Sequence, residues 1–157
     1  MTHPETPRVP GQRTPAEVCA MPLELQAVVC PGLNVAVAAC LRYDLAEPYA
    51  VYLDNHVDLD EPVTWVFARD LLAAGVDTRA GLGDVSVYPG GGAGPATVCI
   101  ALGGGNDTVV LRAEAAPVKA FLHATERIVP YGSEPRHLDL DGLLLRLRDE
   151  WPPEPCP

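Results

Sequence analysis

The chain has 157 residues, is 48% hydrophobic and carries a formal net charge of −10 at pH 7. A chain of this length forms one domain whose core is large enough to fold without disulfides or a structural metal. The acidic surface disfavours nucleic acids and anionic membranes as partners, and no run of about 18 apolar residues predicts a transmembrane helix. Residues 1–14 lack the apolar segment of a signal peptide, so the sequence predicts a cytoplasmic protein.

Proline marks both ends of the chain. Residues 1–21 contain Pro4, Pro7, Pro10 and Pro15 with few large apolar side chains, which predicts a disordered tail because too little surface can be buried. Residues 151–157 form a second proline-rich tail. The folded domain is therefore predicted to cover residues 22–150.

Four strands are predicted first, from apolar residues that alternate along the chain. They cover residues 23–29, 35–43, 49–57 and 63–68, and a turn at residues 31–34 joins the first two. In the fourth strand Trp65 and Phe67 point to one face and the apolar Val66 points to the other. This pattern predicts a strand that is covered on both faces.

A short helix is predicted near residues 70–74. Arg69 and Asp70 interrupt the apolar run, Asp70 is a residue type that caps helices, and Gly75 is expected to end the helix in a left-handed conformation. Three further strands follow at residues 84–88, 97–102 and 108–113, joined by glycine-rich links at 90–94 and 103–105. The links precede strands and lack a Gly-Lys-[Ser/Thr] ending, which favours hairpin turns over phosphate loops and predicts antiparallel neighbours.

Two amphipathic helices close the domain. The first runs from Pro117 to Pro130, and its apolar face comprises Val118, Phe121, Leu122, Thr125, Ile128 and Val129. The second is capped by Asp139 or Asp141, and its predicted core face comprises Leu140, Leu143, Leu144, Leu147 and Trp151. Leu145 falls outside that stripe, so we expect it to contact another subunit or a partner protein. The predicted fold is α+β, with about seven antiparallel strands in a barrel-like or two-sheet core, a short middle helix and two C-terminal helices.

Few residues suggest a catalytic or metal-binding site. Asp54, His56 and Asp58 alternate near a strand end and offer ligands to a divalent cation, but a solvated acidic turn is the favoured interpretation. The segment from His137 to Asp141 is interpreted as a loop that ends in a helix cap. No serine lies in a nucleophile elbow, and Cys30, Cys40 and Cys99 lie in apolar runs typical of buried thiols. The sequence predicts no catalytic, cofactor-binding or metal-binding residue and no cofactor.

Four blocks of residues occur in a characteristic order. They are Trp-Val-Phe-Ala-Arg-Asp-Leu-Leu at 65–72, Arg42-Tyr43-Asp44 with Pro48-Tyr49-Ala50-Val51, Gly83-Asp84-Val85 with Val87 and Pro89, and Val129-Pro130 with Gly132, Glu134, Arg136, His137 and Asp139-Leu140-Asp141. Together they make residues 23–147 similar to the SsgA-like family of actinobacterial sporulation and cell-division proteins. Asn55 departs from the family pattern, which has an apolar aromatic residue before His56.

The resemblance implies a non-enzymatic protein of sporulation-specific cell division that positions septum or cell-wall assembly proteins. It also implies a β-barrel-like core resembling the Whirly single-strand-binding proteins, assembled as a homotrimer and recruited to the septum. The implied partners are other SsgA-like proteins and cell-division or cell-wall synthesis proteins, with the tubulin-like division GTPase FtsZ among the candidates. The family implies no catalytic residue.

Two other functions stay open beside this adaptor. The Whirly-like architecture suggests a single-stranded nucleic-acid-binding module, which the charge of −10 and the single lysine, Lys119, oppose. A metal-dependent enzyme built on His56 is the third hypothesis.

Overall fold

The computed structural model describes residues 17–150, in which seven strands form one antiparallel sheet. The strands are β1 (Val18–Cys30), β2 (Leu33–Asp44), β3 (Ala50–Asn55), β4 (Val63–Ala68), β5 (Val85–Pro89), β6 (Thr97–Leu102) and β7 (Val109–Glu114). Their order across the sheet is β4-β3-β2-β1-β7-β6-β5, and the sheet curls into a half-barrel. The helices are α1 (Arg69–Gly75), α2 (Ala115–Ile128) and α3 (Leu140–Glu150). The predicted fold class is confirmed.

The hairpin of β1 and β2 is longer than the strands on either side of it. These two strands pair with each other along nearly their whole length, from Val18 opposite Asp44 to Cys30 opposite Leu33. However, β1 pairs with β7 only at Gln26–Val28, and β2 pairs with β3 only at residues 39–42. The end of the hairpin, residues 27–38, therefore projects beyond the neighbouring strands on the β3 side.

The core lies between the inner face of the sheet and the first two helices. Helix α2 packs against β1, β6 and β7, and α1 packs against β4 and β5. The predicted apolar face of α2 is confirmed, since Val118, Phe121, Leu122 and Thr125 are buried and His123 on the opposite face is exposed. Leu25, Leu41, Leu53 and Leu72 complete the centre of the core.

Two expectations about α1 are wrong. The helix begins at Arg69 after an N-cap at Ala68, so Asp70 lies in the first turn and caps nothing with its side chain. Gly75 is the last residue of the helix, but it does not adopt the left-handed conformation, because its φ is not positive. Glycine is needed there for space, because a Cβ at Gly75 would overlap the side chain of Val87 on β5.

Strand β4 is covered on one face only. Phe67 is buried and Trp65 half-buried, whereas Val66 on the opposite face is 52% exposed. The expectation of cover on both faces is wrong because β4 lies at the edge of the sheet, where no helix of residues 17–150 packs on its outer side.

The predicted element bounds agree with the structure to within a few residues, and those of β4 and β6 agree fully. Strand β1 begins at Val18, earlier than the domain start expected at residue 22. The remainder of the expected N-terminal tail, residues 1–16, and the C-terminal tail, residues 151–157, lie outside the described residues.

Candidate interaction surfaces

A buried arginine joins three separate parts of the chain. Arg69, the first residue of α1, is 1% exposed. Its Nη1 donates hydrogen bonds to the carbonyl oxygens of Val129 at 2.6 Å and Thr125 at 3.3 Å, at the end of α2. Its Nη2 donates to Oε1 of Glu134, with which it forms a buried ion pair. Because both charges are buried and hydrogen-bonded to each other, the pair fixes α1 and α2 against the segment that follows them.

Two tyrosine rings complete this arginine cluster. The Arg69 guanidinium carbon lies 5.0 Å from the ring centroid of Tyr43 on β2 and 4.4 Å from that of Tyr131, within the range of cation–π attraction. The Tyr43 hydroxyl donates to the carbonyl oxygen of Pro48 at 2.8 Å. Burial raises the pKa of Tyr43 to about 12, so this hydroxyl keeps its proton and remains a donor at neutral pH.

The arginine cluster supports the fold: the charged side chains of Arg69 and Glu134 are buried, whereas Tyr131 is 41% exposed. In the sequence, Arg69 interrupts the apolar run and both Arg69 and Glu134 belong to the family blocks, but nothing there predicts that the two residues pair. The available signal is the position of Arg69, directly after an aromatic-rich strand and with no carboxylate three or four residues away along the helix. A charge in such a position requires a partner from elsewhere in the chain.

The cluster predicts a specific loss of stability in acid. Burial alone would raise the pKa of Glu134, but hydrogen bonds from its own backbone N–H, from Arg69 and from the N–H of Gly132 outweigh burial and lower it. Since the folded pKa lies below the unfolded value of about 4.3, the stabilisation is present above that pH and is lost as the pH falls through the folded pKa.

We therefore expect the free energy of unfolding of the wild-type chain to fall more steeply below about pH 5 than that of Glu134→Gln. Denaturant unfolding at several pH values gives the slope of the unfolding free energy against pH for each of the two proteins. Glu61→Gln, which removes an exposed carboxylate from a loop, controls for the loss of one negative charge. Identical slopes for wild type and Glu134→Gln would contradict the role of Glu134.

An apolar cleft opens at the projecting end of the half-barrel. It has a volume of about 510 Å³ and is lined by residues of six strands. They are Ala27 and Val29 of β1, Val35 and Val37 of β2, Asn55 of β3, Val63 and Trp65 of β4, Leu102 of β6, and Val109 and Leu111 of β7, with His56, Gly103 and Asp107 beside them. Val29, Val35, Val63 and Val109 are each at least 50% exposed, although they lie on the inner side of the curl. Helix α2 covers the other end of the inner face and leaves this end open.

One polar atom in the cleft has no partner. Asn55 is 6% exposed, and its Oδ1 accepts no hydrogen bond from the described residues. The next residue, His56, has a φ of 57°, a left-handed backbone conformation just after the end of β3. The N–H of Val57 still donates to the carbonyl oxygen of Ala38 on β2 at 3.2 Å. A buried amide oxygen without a donor is unfavourable by about 1–3 kcal/mol, so a donor supplied from outside would stabilise the cleft.

Helix α3 presents a second unpartnered apolar surface. All five of its leucines are at least 43% exposed: Leu140, Leu143, Leu144, Leu145 and Leu147. None belongs to the core cluster of the described residues, and α3 makes no substantial packing contact with their strands and helices. The expectation that Leu143 and Leu147 lie in the core is therefore wrong, because no element of residues 17–150 covers them. Trp151, assigned to the same stripe, lies outside the described residues.

The three residues considered as metal ligands, Asp54, His56 and Asp58, do not form a common site. Asp54 pairs with Arg42 on the outer face of the sheet and accepts a hydrogen bond from Thr64 Oγ1 at 2.6 Å. The hydrogen bond from Arg42 is the main cause that lowers the pKa of Asp54. His56 and Asp58 are exposed and lie beyond the end of β3. Within residues 17–150, no group of three or more His, Cys, Asp or Glu side chains is arranged to hold a metal ion.

The remaining candidates from the sequence have structural roles. Oδ1 of Asp139 accepts a hydrogen bond from the N–H of Gly142 at 2.9 Å, which confirms the predicted cap of α3. The two glycine-rich links join β5 to β6 and β6 to β7, which confirms the hairpin turns. Cys99 is buried and Cys40 half-buried, but Cys30 is exposed because it lies at the projecting end of the hairpin. Among the helices of residues 17–150, none combines the length and apolar character needed to cross a membrane.

Residues 37–134 match the protein family described as Streptomyces sporulation and cell division protein, SsgA. This chain belongs to the SsgA family. The resemblance inferred from its sequence is confirmed, and with it membership in a family of sporulation and cell-division proteins. The matched range extends from β2 to the segment after α2, so it contains every residue of the arginine cluster.

Relatives from several actinobacteria are similar over most of their length. The chain is 46% identical over 128 residues to the sporulation-specific cell division protein SsgB of Streptomyces coelicolor, a match that covers 82% of this chain and 93% of the relative. It is 38% identical over 148 residues to SsgB of Kineococcus radiotolerans, covering 93% of this chain and 87% of the relative.

Solved structures show the same fold. The crystal structure of an SsgA-like sporulation-specific cell division protein from Thermobifida fusca superposes with a TM-score of 0.75 at 33% identity, covering 86% of this chain and 99% of that one. A structure reported with SsgB mutations that correlate with longitudinal cell division in sporulating Streptomyces coelicolor gives a TM-score of 0.72 at 43% identity. That match covers 77% of this chain and 95% of the other.

Proposed function

We propose that this SsgA-family chain is a non-enzymatic adaptor in sporulation-specific cell division, which positions septum or cell-wall assembly proteins. The observation that carries the proposal is the combination of family membership with two unpartnered apolar surfaces, the cleft and the leucine face of α3. Apolar patches rimmed by polar residues are typical of protein–protein interaction sites. The core, fixed by the arginine cluster, supports the strands that line the cleft.

The adaptor acts in the cytoplasm and is recruited to the septum, as a homotrimer. Its partners are other SsgA-like proteins and cell-division or cell-wall synthesis proteins, with FtsZ among the candidates. It needs no cofactor and binds neither nucleic acid nor the interior of the membrane. The support for this assignment is the similarity to sporulation-specific cell division proteins together with a charge of −10, which disfavours polyanionic partners.

Imaging of the full chain during sporulation tests the proposal. A fluorescently tagged chain that complements its own deletion should accumulate at future septa, and deletion should disturb septation or spore-wall formation. Pull-down with the same tagged chain should capture division or wall-synthesis proteins. A uniform distribution together with normal septa and spores in the deletion strain would refute the adaptor.

Leu145 is the proposed point of contact with another subunit or a partner, and Leu145→Glu tests it. Leu145 is 60% exposed and outside the core, so the variant should keep its circular dichroism spectrum and melting temperature. A carboxylate placed in an apolar interface has no partner there, so assembly size by light scattering, or partner capture, should fall. Leu82→Glu changes a fully exposed leucine elsewhere and should affect neither. Unchanged assembly and capture in Leu145→Glu would exclude Leu145 from both contacts.

A further inference from the structure

We propose that the open edge of β2, at the projecting end of the hairpin, binds an extended segment of a partner protein in which apolar residues alternate with lysine or arginine. The segment adds a strand to the sheet in line with β3 and places its apolar side chains in the cleft. The inference rests on the adaptor put forward under the proposed function and names the kind of segment that the adaptor recognises.

The backbone of β2 has an unpaired edge beyond the end of β3. Its pairing with β3 stops at Ala39, and one further hydrogen bond joins the N–H of Val57 to the carbonyl oxygen of Ala38. Since alternate residues of a strand direct their backbone groups to the same side, the N–H and C=O of Asn34 and Ala36 point the same way as those of Ala38. No strand in the part of the chain that the structure describes pairs with them on that side. Such an edge is a template for a further strand.

The cleft adjoins this edge on the inner face of the sheet. Val35 and Val37 line the cleft, and they alternate with Asn34 and Ala36 along β2. A strand added beside them would direct every second side chain to the inner face, into the cleft. Residues 33–36 are all exposed, so the edge is accessible. Alternate apolar residues are therefore the first requirement on the bound segment.

Asn55 supplies a hydrogen-bond acceptor where the added strand would meet β3. It is the last residue of β3, is 6% exposed and lines the cleft, and its Oδ1 has no hydrogen-bond partner among the described residues. Backbone N–H groups and the side chains of lysine and arginine are all donors. A donor of the bound segment that reaches Oδ1 would make a hydrogen bond that the free chain lacks, so this buried oxygen favours the bound state.

The charge around the cleft selects the residues that alternate with the apolar ones. Segments 27–37, 55–65 and 102–111 supply every residue that lines the cleft, and they contain no lysine or arginine. Their carboxylates are Asp58, Asp60, Glu61 and Asp107, which are all exposed and form no salt bridge with another described residue. Lysine or arginine on the bound segment would meet these unpaired carboxylates, whereas an acidic segment would be repelled.

A second copy of this chain does not offer such a segment. The strands at the two edges of its sheet, β4 and β5, contain no lysine or arginine. The sequence of α3 contains Arg146 and Arg148, but Asp141, Asp149 and Glu150 outnumber them. The occupant is therefore a different protein, and the net charge of −10 on this chain favours a cationic one.

A synthetic peptide in which valine alternates with lysine over about eight residues, within the usual length of a strand, tests the contact on the full chain. Fluorescence anisotropy should show saturable binding, at least about tenfold tighter than that of the matching valine–glutamate peptide. By NMR, the peptide should slow hydrogen exchange at the amides of Asn34 and Ala36 at least about tenfold, because both enter hydrogen bonds. The amide of the exposed Leu82 should exchange at an unchanged rate.

Two variants separate the backbone contact from the side-chain contact. Ala36→Pro removes the N–H that points away from β1, so it should keep its circular dichroism spectrum and bind the peptide at least about tenfold more weakly. Asn55→Leu removes the unpartnered oxygen, so it should bind about three- to tenfold more weakly without a fall in melting temperature. Leu82→Glu, which changes an exposed residue elsewhere, should bind the peptide as the wild type does.

The other results overturn the inference. Absence of saturable binding, or equal binding of the valine–glutamate peptide, removes the proposed occupant and leaves the adaptor to be decided by the imaging of septa. Binding that leaves exchange at Asn34 and Ala36 unchanged, or that is as tight in Ala36→Pro as in the wild type, shows attraction by charge without an added strand. Protection of both amides when the chain alone is concentrated identifies a second copy as the occupant.

Discussion

Replacing Arg69 by alanine is expected to lower the free energy of unfolding by about 3–5 kcal/mol, because it leaves the buried Glu134 carboxylate without its counter-ion. Arg69 and Glu134 are 1% and 4% exposed, so water cannot compensate for the loss. The two carbonyl oxygens at the end of α2 and the faces of two tyrosine rings lose their cationic partner at the same time. Chemical denaturation monitored by circular dichroism measures the change.

The chain contains a matched control for this prediction. Like Arg69, Arg42 pairs with a carboxylate and lies over a tyrosine ring, but its partners Asp54 and Tyr52 lie with it on the outer face of the sheet. Exposed pairs contribute about 0–1 kcal/mol, so Arg42→Ala should have a small effect. Replacing both members of the buried pair, as in Arg69→Met with Glu134→Leu, should recover part of the loss because no unpaired charge remains. Equal losses in Arg69→Ala and Arg42→Ala would show that burial of the pair contributes nothing.

The strands could be predicted from sequence because their signal is local. Alternation of apolar residues sets the face of each strand, and glycine-rich links between short strands require antiparallel neighbours. This is why the predicted bounds of β4 and β6 agree with the structure. The partner of Arg69 could not be predicted in the same way, because Glu134 is 65 residues away and only the packing of α1 against α2 brings the two together.

The sequence also identified apolar faces without identifying what covers them. Val66 and Leu147 follow the periodicity of buried residues, yet Val66 lies on the open face of an edge strand. Leu147 lies on a helix that makes no substantial packing contact within residues 17–150. Periodicity reports that one side of an element is apolar, and a neighbouring element in the same chain is only one way to cover it. The cleft was missed for a related reason, since its walls come from six strands whose residues range from β1 to β7 along the sequence.

The blocks that carried the family resemblance meet in three dimensions. Tyr43 and Pro48 come from one block, Arg69 from the second, and Val129 and Glu134 from the last, and all contribute to the arginine cluster. A fourth block contains Val87, the side chain that contacts Gly75 at the end of α1. The matching residues therefore describe how the half-barrel and its first two helices are held together.

Two leucines in helices are expected to respond very differently to truncation. Leu72 in α1 is 0% exposed, so Leu72→Ala should lower the free energy of unfolding by about 2–5 kcal/mol through lost burial and a cavity. Leu147 in α3 is 54% exposed, so Leu147→Ala should change the stability of the single chain by no more than about 0.5 kcal/mol. Chemical denaturation of both variants beside the wild type measures the two effects.

Protein concentration separates a core residue from an interface residue. Contacts between copies would stabilise the folded state by mass action, so in the proposed assembly any loss of stability in Leu147→Ala relative to wild type should grow with protein concentration. The deficit of Leu72→Ala should be present at every concentration, because its contacts lie within one chain. A loss above about 2 kcal/mol for Leu147→Ala in dilute solution would place this leucine in the core of its own chain and contradict the position of α3.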